Sequence, residues 1–190
     1  MNDDDKVALV DMDGTLCDFH GQLERDLDRV LGKERDRLTA APLRQIEYLI
    51  RGQTGWYRNL QPIQFGFAIV GMLKSIGFRI MIVTKSSKES KNAWSEKAAW
   101  IAEHLPDADI TVTMDKGLLY GKVLVDDYPA HFTRWMEHRP RGKVVMPVQP
   151  WNKDVASHPN LYPVSCLEDL KAIKPMLQAE FDRKGGEHGG

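Results

Sequence analysis

Short apolar runs alternate with longer amphipathic stretches along the whole chain. Val7-Ala8-Leu9-Val10 carries no polar residue, a pattern that suits a strand covered on both faces. It predicts a strand that ends at the turn Asp11-Met12-Asp13-Gly14-Thr15. Similar runs predict strands over 78–83, 110–113, 123–125 and 144–148, the first ending at Thr84 and the third at Asp126-Asp127. Between them the apolar positions change to helical spacing. Leu23, Leu27, Val30 and Leu31 form one stripe; Leu43, Ile46, Leu49 and Ile50 form a second; Phe65, Ile69, Met72, Leu73 and Ile76 form a third, which Gly77 stops. Further helices are predicted over 90–105, 130–137 and 167–181.

Strands alternating with helices imply βα units, hence an α/β protein with a Rossmann-like parallel sheet flanked by helices. The two charged helices between the first and second strands interrupt that rhythm. They predict a small helical cap, residues 18–63, inserted after the first strand of a core made of 1–17 and 64–182. Linkers are expected at Cys17-Asp18 and at 52–55, and a flexible Gly-rich tail at 183–190. In parallel sheets ligands bind beyond the carboxyl ends of the strands. Asp11 and Asp13, Thr84, and Asp126 and Asp127 all follow predicted strands, so three distant segments are expected to converge at one edge.

Bulk properties narrow the function classes. Net charge over the 190 residues is −1, so no global field draws long nucleic acid or an anionic membrane. No apolar run approaches the ~20 residues of a membrane span, and residues 1–6 are too acidic and polar for a signal peptide. The two cysteines, Cys17 and Cys166, fit reduced thiols in a cytoplasmic protein. A homo-oligomer stays open. The six histidines show no ligand pairing, and Arg134, Arg139, Arg141 and Lys143 read as a solvated basic face.

Clustered carboxylates with a hydroxyl and a lysine suit cleavage of a phosphate monoester, which needs a nucleophile, a proton for the leaving oxygen and positive charge around the phosphoryl group. Asp11 can attack. Asp13 can donate the proton and then activate water. The carboxylates call for a hard cation, and Mg²⁺ suits oxygen ligands from Asp11, the Asp13 carbonyl and Asp127, with Asp126 alongside. Thr84 offers a hydroxyl and Lys116 a fixed charge to the phosphate. Trp56 and Tyr57 can stack on a base, or simply glue the inserted helices to the core. Trp151 follows the last predicted strand, either as structure or as pocket wall.

Asp11-Met12-Asp13-Gly14-Thr15, followed by Leu16-Cys17-Asp18-Phe19, resembles the first motif of the haloacid dehalogenase-like superfamily. More narrowly the chain resembles the 5′(3′)-deoxyribonucleotidase family. That match is carried by Gly55-Trp56-Tyr57-Arg58-Asn59-Leu60-Gln61-Pro62, by Glu96-Lys97-Ala98-Ala99-Trp100-Ile101, and by Asp115-Lys116 with Leu124-Val125-Asp126-Asp127. The resemblance implies a phosphoaspartyl intermediate on Asp11, Asp13 as acid and base, and Mg²⁺ on Asp11, Asp13 and Asp127. It implies phosphate contacts from Thr84, Lys116 and Lys97, and a base-binding wall of Phe19, Trp56 and Tyr57. The expected activity is hydrolysis of nucleoside 5′-monophosphates, deoxyribonucleotides favoured. Where the family has Thr-Ser-Pro, this chain has Thr84-Lys85-Ser86, so Lys85 either adds a cation at the phosphate or points away. A phosphatase for another ester, such as a sugar phosphate or a nucleic-acid 3′-phosphate, and a non-catalytic nucleotide-binding protein are the competing readings.

Overall fold

The computed structural model describes residues 6–86 and 90–183, so the glycine-rich end of the expected tail lies outside the described residues. Six parallel strands form one sheet in the order β3-β2-β1-β4-β5-β6. They are β1 (Val7–Val10), β2 (Arg79–Thr84), β3 (Asp109–Val112), β4 (Val123–Val125), β5 (Lys143–Pro147) and β6 (Leu161–Val164). The helices are α1 (Phe19–Leu31), α2 (Ala40–Arg51), α3 (Gln64–Ile76), α4 (Ala93–His104), α5 (Pro129–His138) and α6 (Leu167–Asp182). Every expected helix and strand is present. β6 is the addition: it is short and contains Pro163, and proline is tolerated in a sheet chiefly at an edge, which is where β6 lies.

β1 is central and wholly buried, and its side chains alternate between two cores. Ala8 and Val10 pack with α3, α4, α6 and the inserted helices, while Val7 and Leu9 pack with Phe132 and Trp135 of α5. Each fully buried Leu or Val of this kind stabilises the fold by about 1.5–3 kcal/mol relative to exposure. This two-sided cover explains why the strand sequence lacks polar alternation. At the far end of α6, Lys122 Nζ donates to the carbonyls of Glu180, Phe181 and Arg183, satisfying the helix's last acceptors. Among the described residues no helix is long and apolar enough to cross a membrane.

The chain enters and leaves the inserted helices side by side. Asp18 N–H donates to Gln61 O at 2.8 Å, Ile63 N–H donates to Leu16 O at 2.7 Å, and Cys17 bridges Pro62. The return to the core is therefore at 61–63 rather than at 52–55. The latter turn is instead fastened to α4, because the buried Glu96 carboxylate accepts from Gly55 N at 2.6 Å and from Tyr57 N at 3.1 Å. Trp56 ties the same segment to α1 through an indole N–H bond of 2.8 Å to Asp26 Oδ2.

Candidate active site

Asp11 follows the last residue of β1, and its backbone N–H donates to Val125 O of β4 at 2.8 Å. Its Oδ1 accepts from Met12 N–H at 2.8 Å and from Lys116 Nζ at 2.7 Å. The same ammonium reaches Asp126 Oδ2 at 2.7 Å, and all three side chains are buried. Asp126 Oδ1 accepts from Tyr128 N–H at 2.9 Å, and His131 Nδ1 stands 3.6 Å away. Burial alone pushes the Asp126 carboxyl up, but Lys116 and then His131 overcome this and hold it below the usual range. Burial raises Asp11 to about 6; Lys116 opposes the rise, and Asp126 and Asp13 add to it.

Asp127 is oriented differently. Thr15 Oγ1 donates to its Oδ1 at 3.2 Å and Trp151 Nε1 to its Oδ2 at 3.1 Å. Both donors are neutral. They fix the carboxylate without cancelling its charge, and burial, then Asp11, then Asp126 push it up to about 8. The turn after β1 approaches this group closely. A Cβ on Gly14, whose φ is +79°, would lie 2.5 Å from Asp127 Oδ2, so only glycine fits there.

Asp13 pairs with Lys97 of α4, whose Nζ lies 2.5 Å from Asp13 Oδ2, 2.9 Å from Thr84 Oγ1 and 2.7 Å from Lys85 O. A cavity of about 590 Å³ opens over these groups, within the range of small-molecule sites. Asp11, Asp13, Asp127, Lys85 and Lys97 line its polar part, and Phe19 and Tyr57 line its apolar part. Of the other residues expected at the site, Thr84, Lys116 and Asp126 lie behind the wall, already paired with Lys97, Asp11 and each other. Trp56 also stands behind it, edge-on to Phe19 at 5.3 Å and to Tyr57 at 4.9 Å, because its N–H is committed to Asp26.

Sequence reasoning missed several wall residues. Tyr48 and Arg51 come from α2, His20 from α1, and His131 from α5. Ser86 also lines the cavity; its hydroxyl is buried and has no hydrogen-bond partner among the described residues. Only Ser86 carried a local signal, its closeness to Thr84. The others look like ordinary helix-surface residues until the fold brings them together.

Among the described residues one set of ligand atoms lies close enough to share a cation, and Asp13 and Asp127 are not in it. Ligand atoms of Asp11, Asp126 and His131 lie within 4.8 Å of one another. Lys116 already supplies the positive charge to the two carboxylates of that set. Among the described residues Asp127 has only neutral donors, and it lines the same cavity as Asp11, so it is the carboxylate whose charge is left to be matched. All-oxygen donors with room for water suit Mg²⁺.

A parallel sheet of this order, with acidic pairs after two adjacent strands and lysines beside them, is the haloacid dehalogenase-like fold. A structure titled "putative haloacid dehalogenase-like hydrolase" from Burkholderia xenovorans matches with a TM-score of 0.57 at 14% identity, covering 91% of this chain and 98% of the other. The "putative HAD-hydrolase YfnB" of Bacillus subtilis, described as bound to magnesium, matches with a TM-score of 0.53 at 14% identity, over 90% of this chain and 98% of its own. The chain belongs to the family described as "5' nucleotidase, deoxy (Pyrimidine), cytosolic type C protein", which matches residues 5–159. A Bordetella pertussis protein named "Putative 5'(3')-deoxyribonucleotidase" is 30% identical over 170 residues, 82% of this chain and 90% of the relative. The chain is an enzyme of the phosphoric monoester hydrolase class, of 5′-nucleotidase type.

Proposed function

We propose that this enzyme hydrolyses nucleoside 5′-monophosphates, deoxyribonucleotides favoured, with Mg²⁺ and through a phosphoaspartyl intermediate on Asp11. The observation that carries the reading is one cavity lined by Asp11, Asp13 and Asp127 on one side and by Phe19 and Tyr57 of the inserted segment on the other.

Among the described residues, hydrogen bonds engage only Oδ1 of Asp11, which leaves Oδ2 to attack phosphorus. As the Asp11–phosphorus bond forms, the ester P–O bond breaks, and Asp13, which takes up a proton from water as Lys97 turns from it to the phosphate, gives that proton to the departing sugar oxygen. Asp13 then takes a proton from water as the water attacks phosphorus. Asp11 is released as a carboxylate, and inorganic phosphate leaves. Lys85 lines the cavity for the equatorial phosphoryl oxygens, Lys97 joins it by exchanging its bond to Asp13 for one to the phosphate, and the Ser86 hydroxyl, which has no partner among the described residues, lies beside them. Asp11, Asp13 and Asp127 would hold Mg²⁺, which when bound offsets the repulsion between the carboxylates and the phosphate. We take residues 18–63 as a cap that closes over the ester and keeps bulk water out until substrate is engaged.

A panel of deoxyribonucleotides, ribonucleotides, sugar phosphates and 3′-phosphorylated oligonucleotides, assayed with Mg²⁺ and with chelator, tests the reading. Phosphate release is expected from the nucleoside monophosphates and is expected to vanish with chelator. Activity confined to sugar phosphates would remove the nucleotidase reading.

Metal binding has its own signature. The folded protein holds Asp127 at about 8 against an ordinary 3.8, so the cation-free protein binds more protons than the unfolded chain. This contribution favours folding at low pH and is lost as pH rises towards 8. A cation replaces the proton, so Mg²⁺ is expected to raise the melting temperature more at pH 8 than at pH 6. An equal shift at both values would remove Asp127 from the ligand set.

A further inference from the structure

Trp151 lies in the loop after β5, and that loop is braced on the active-site turns. Asn152 Nδ2 donates to Asp127 O at 2.8 Å and to Pro147 O at 2.9 Å. Gln149 Nε2 donates to Gly14 O at 3.0 Å, and Gln149 N–H to Asn152 Oδ1 at 2.8 Å. The loop therefore cannot shift without moving the turn after β1 or the one after β4. From this base the Trp151 indole N–H points at Asp127, 3.1 Å from Oδ2 and 3.2 Å from the carbonyl oxygen. The residue is 40% exposed, and its ring meets His20 in the first turn of α1, with centroids 4.3 Å apart and planes tilted by 48°. His20 lines the cavity with Asp127.

One side chain thus touches both the carboxylate left for a cation and the inserted helices. We propose that Trp151 is a positioning residue that couples the cation-binding posture of Asp127 to closure of the inserted helices over the cavity. The inference rests on the Mg²⁺ reading above. The N–H occupies one lone pair of Oδ2 and fixes the carboxylate plane, as partners of metal ligands generally do. The His20 ring, packed on the indole, holds the indole in that orientation only while α1 lies against the core. Closing the site over substrate then tightens the ion, and binding the ion favours the closed form, because the coupling is reciprocal.

The test uses the full chain carrying Trp151→Phe, His20→Ala, or both. Phenylalanine keeps a ring against His20 but has no N–H. Trp151→Phe is expected to raise the Mg²⁺ concentration for half-maximal thermal stabilisation by about 10- to 100-fold. The Mg²⁺ requirement for phosphate release should rise in parallel, and saturating Mg²⁺ should restore kcat. His20→Ala is expected to raise the Mg²⁺ midpoint by a smaller factor, about two- to ten-fold, and the double variant should match Trp151→Phe, because both act through one hydrogen bond. A wild-type midpoint in Trp151→Phe, or a kcat loss that saturating Mg²⁺ does not restore, overturns the positioning role. An unchanged midpoint in His20→Ala, or additive effects in the double variant, overturns the coupling. If the unsubstituted protein shows no Mg²⁺ response at all, the metal reading fails and takes this inference with it.

Discussion

Asp11→Asn is expected to lower phosphate release by a factor on the order of 10³ or more while leaving the melting temperature within a few degrees. The side-chain amide keeps an oxygen for Met12 N–H and Lys116 Nζ, the two donors that hold Oδ1. What it loses is the negatively charged second oxygen that attacks phosphorus. Substrate binding should survive, because Lys85, Lys97, Phe19 and Tyr57 are untouched. The measurement is single-turnover phosphate release on protein whose mass excludes deamidation back to Asp. Turnover equal to that of the unsubstituted protein would mean that another group is the nucleophile.

Lys116→Met is expected to cost both stability and activity. The ammonium sits between two buried carboxylates at 2.7 Å from each. Removing one partner of a buried ionic group costs about 3–5 kcal/mol, because the remaining charges lose their compensation. For a chain of this size that corresponds to a fall of roughly 6–20 °C in melting temperature. The sign of the pH dependence follows from Asp11, which is already raised to about 6 with Lys116 present. Without the lysine it rises further, and its charge is unfavourable only above that pKa. The stability gap to the unsubstituted protein should therefore be largest at pH 8 and shrink towards pH 5 as the carboxyl takes up a proton. Calorimetry across that range checks it, and a constant small gap would show that the pair contributes little. The same protonation removes the nucleophile, so kcat should fall even at temperatures where the variant is folded.

The parts of the site that were legible in the sequence are those fixed locally. Asp11, Thr84 and the Asp126-Asp127 pair each follow a short apolar strand, and parallel pairing of those strands brings them to one edge without help from the rest of the chain. The division of labour among them was not legible. Lys116 looked like a phosphate ligand, but its bond to Asp126 exists only once β4 lies beside β1. Trp56 reads equally as a stacking platform or as glue between the inserted helices and the core, and nothing near it in sequence announces Asp26 on α1 as the partner that takes its N–H. Arg51 belongs to an amphipathic helix whose sequence pairs it only with Glu47 one turn away, and it joins the cavity because α2 brings its guanidinium over the Phe19 ring. β6 escaped notice because four residues with a proline carry too little pattern to separate from a loop.

The paired segments 16–18 and 61–63 make the inserted helices a side branch. The chain leaves and rejoins the sheet within a hydrogen bond of the same place. Whatever hangs from that junction can grow, shrink or be exchanged without changing the distance that β1 and α3 must span. Replacing the branch would therefore remake the wall that Phe19, Tyr48, Arg51 and Tyr57 give the cavity while the sheet edge stays as it is.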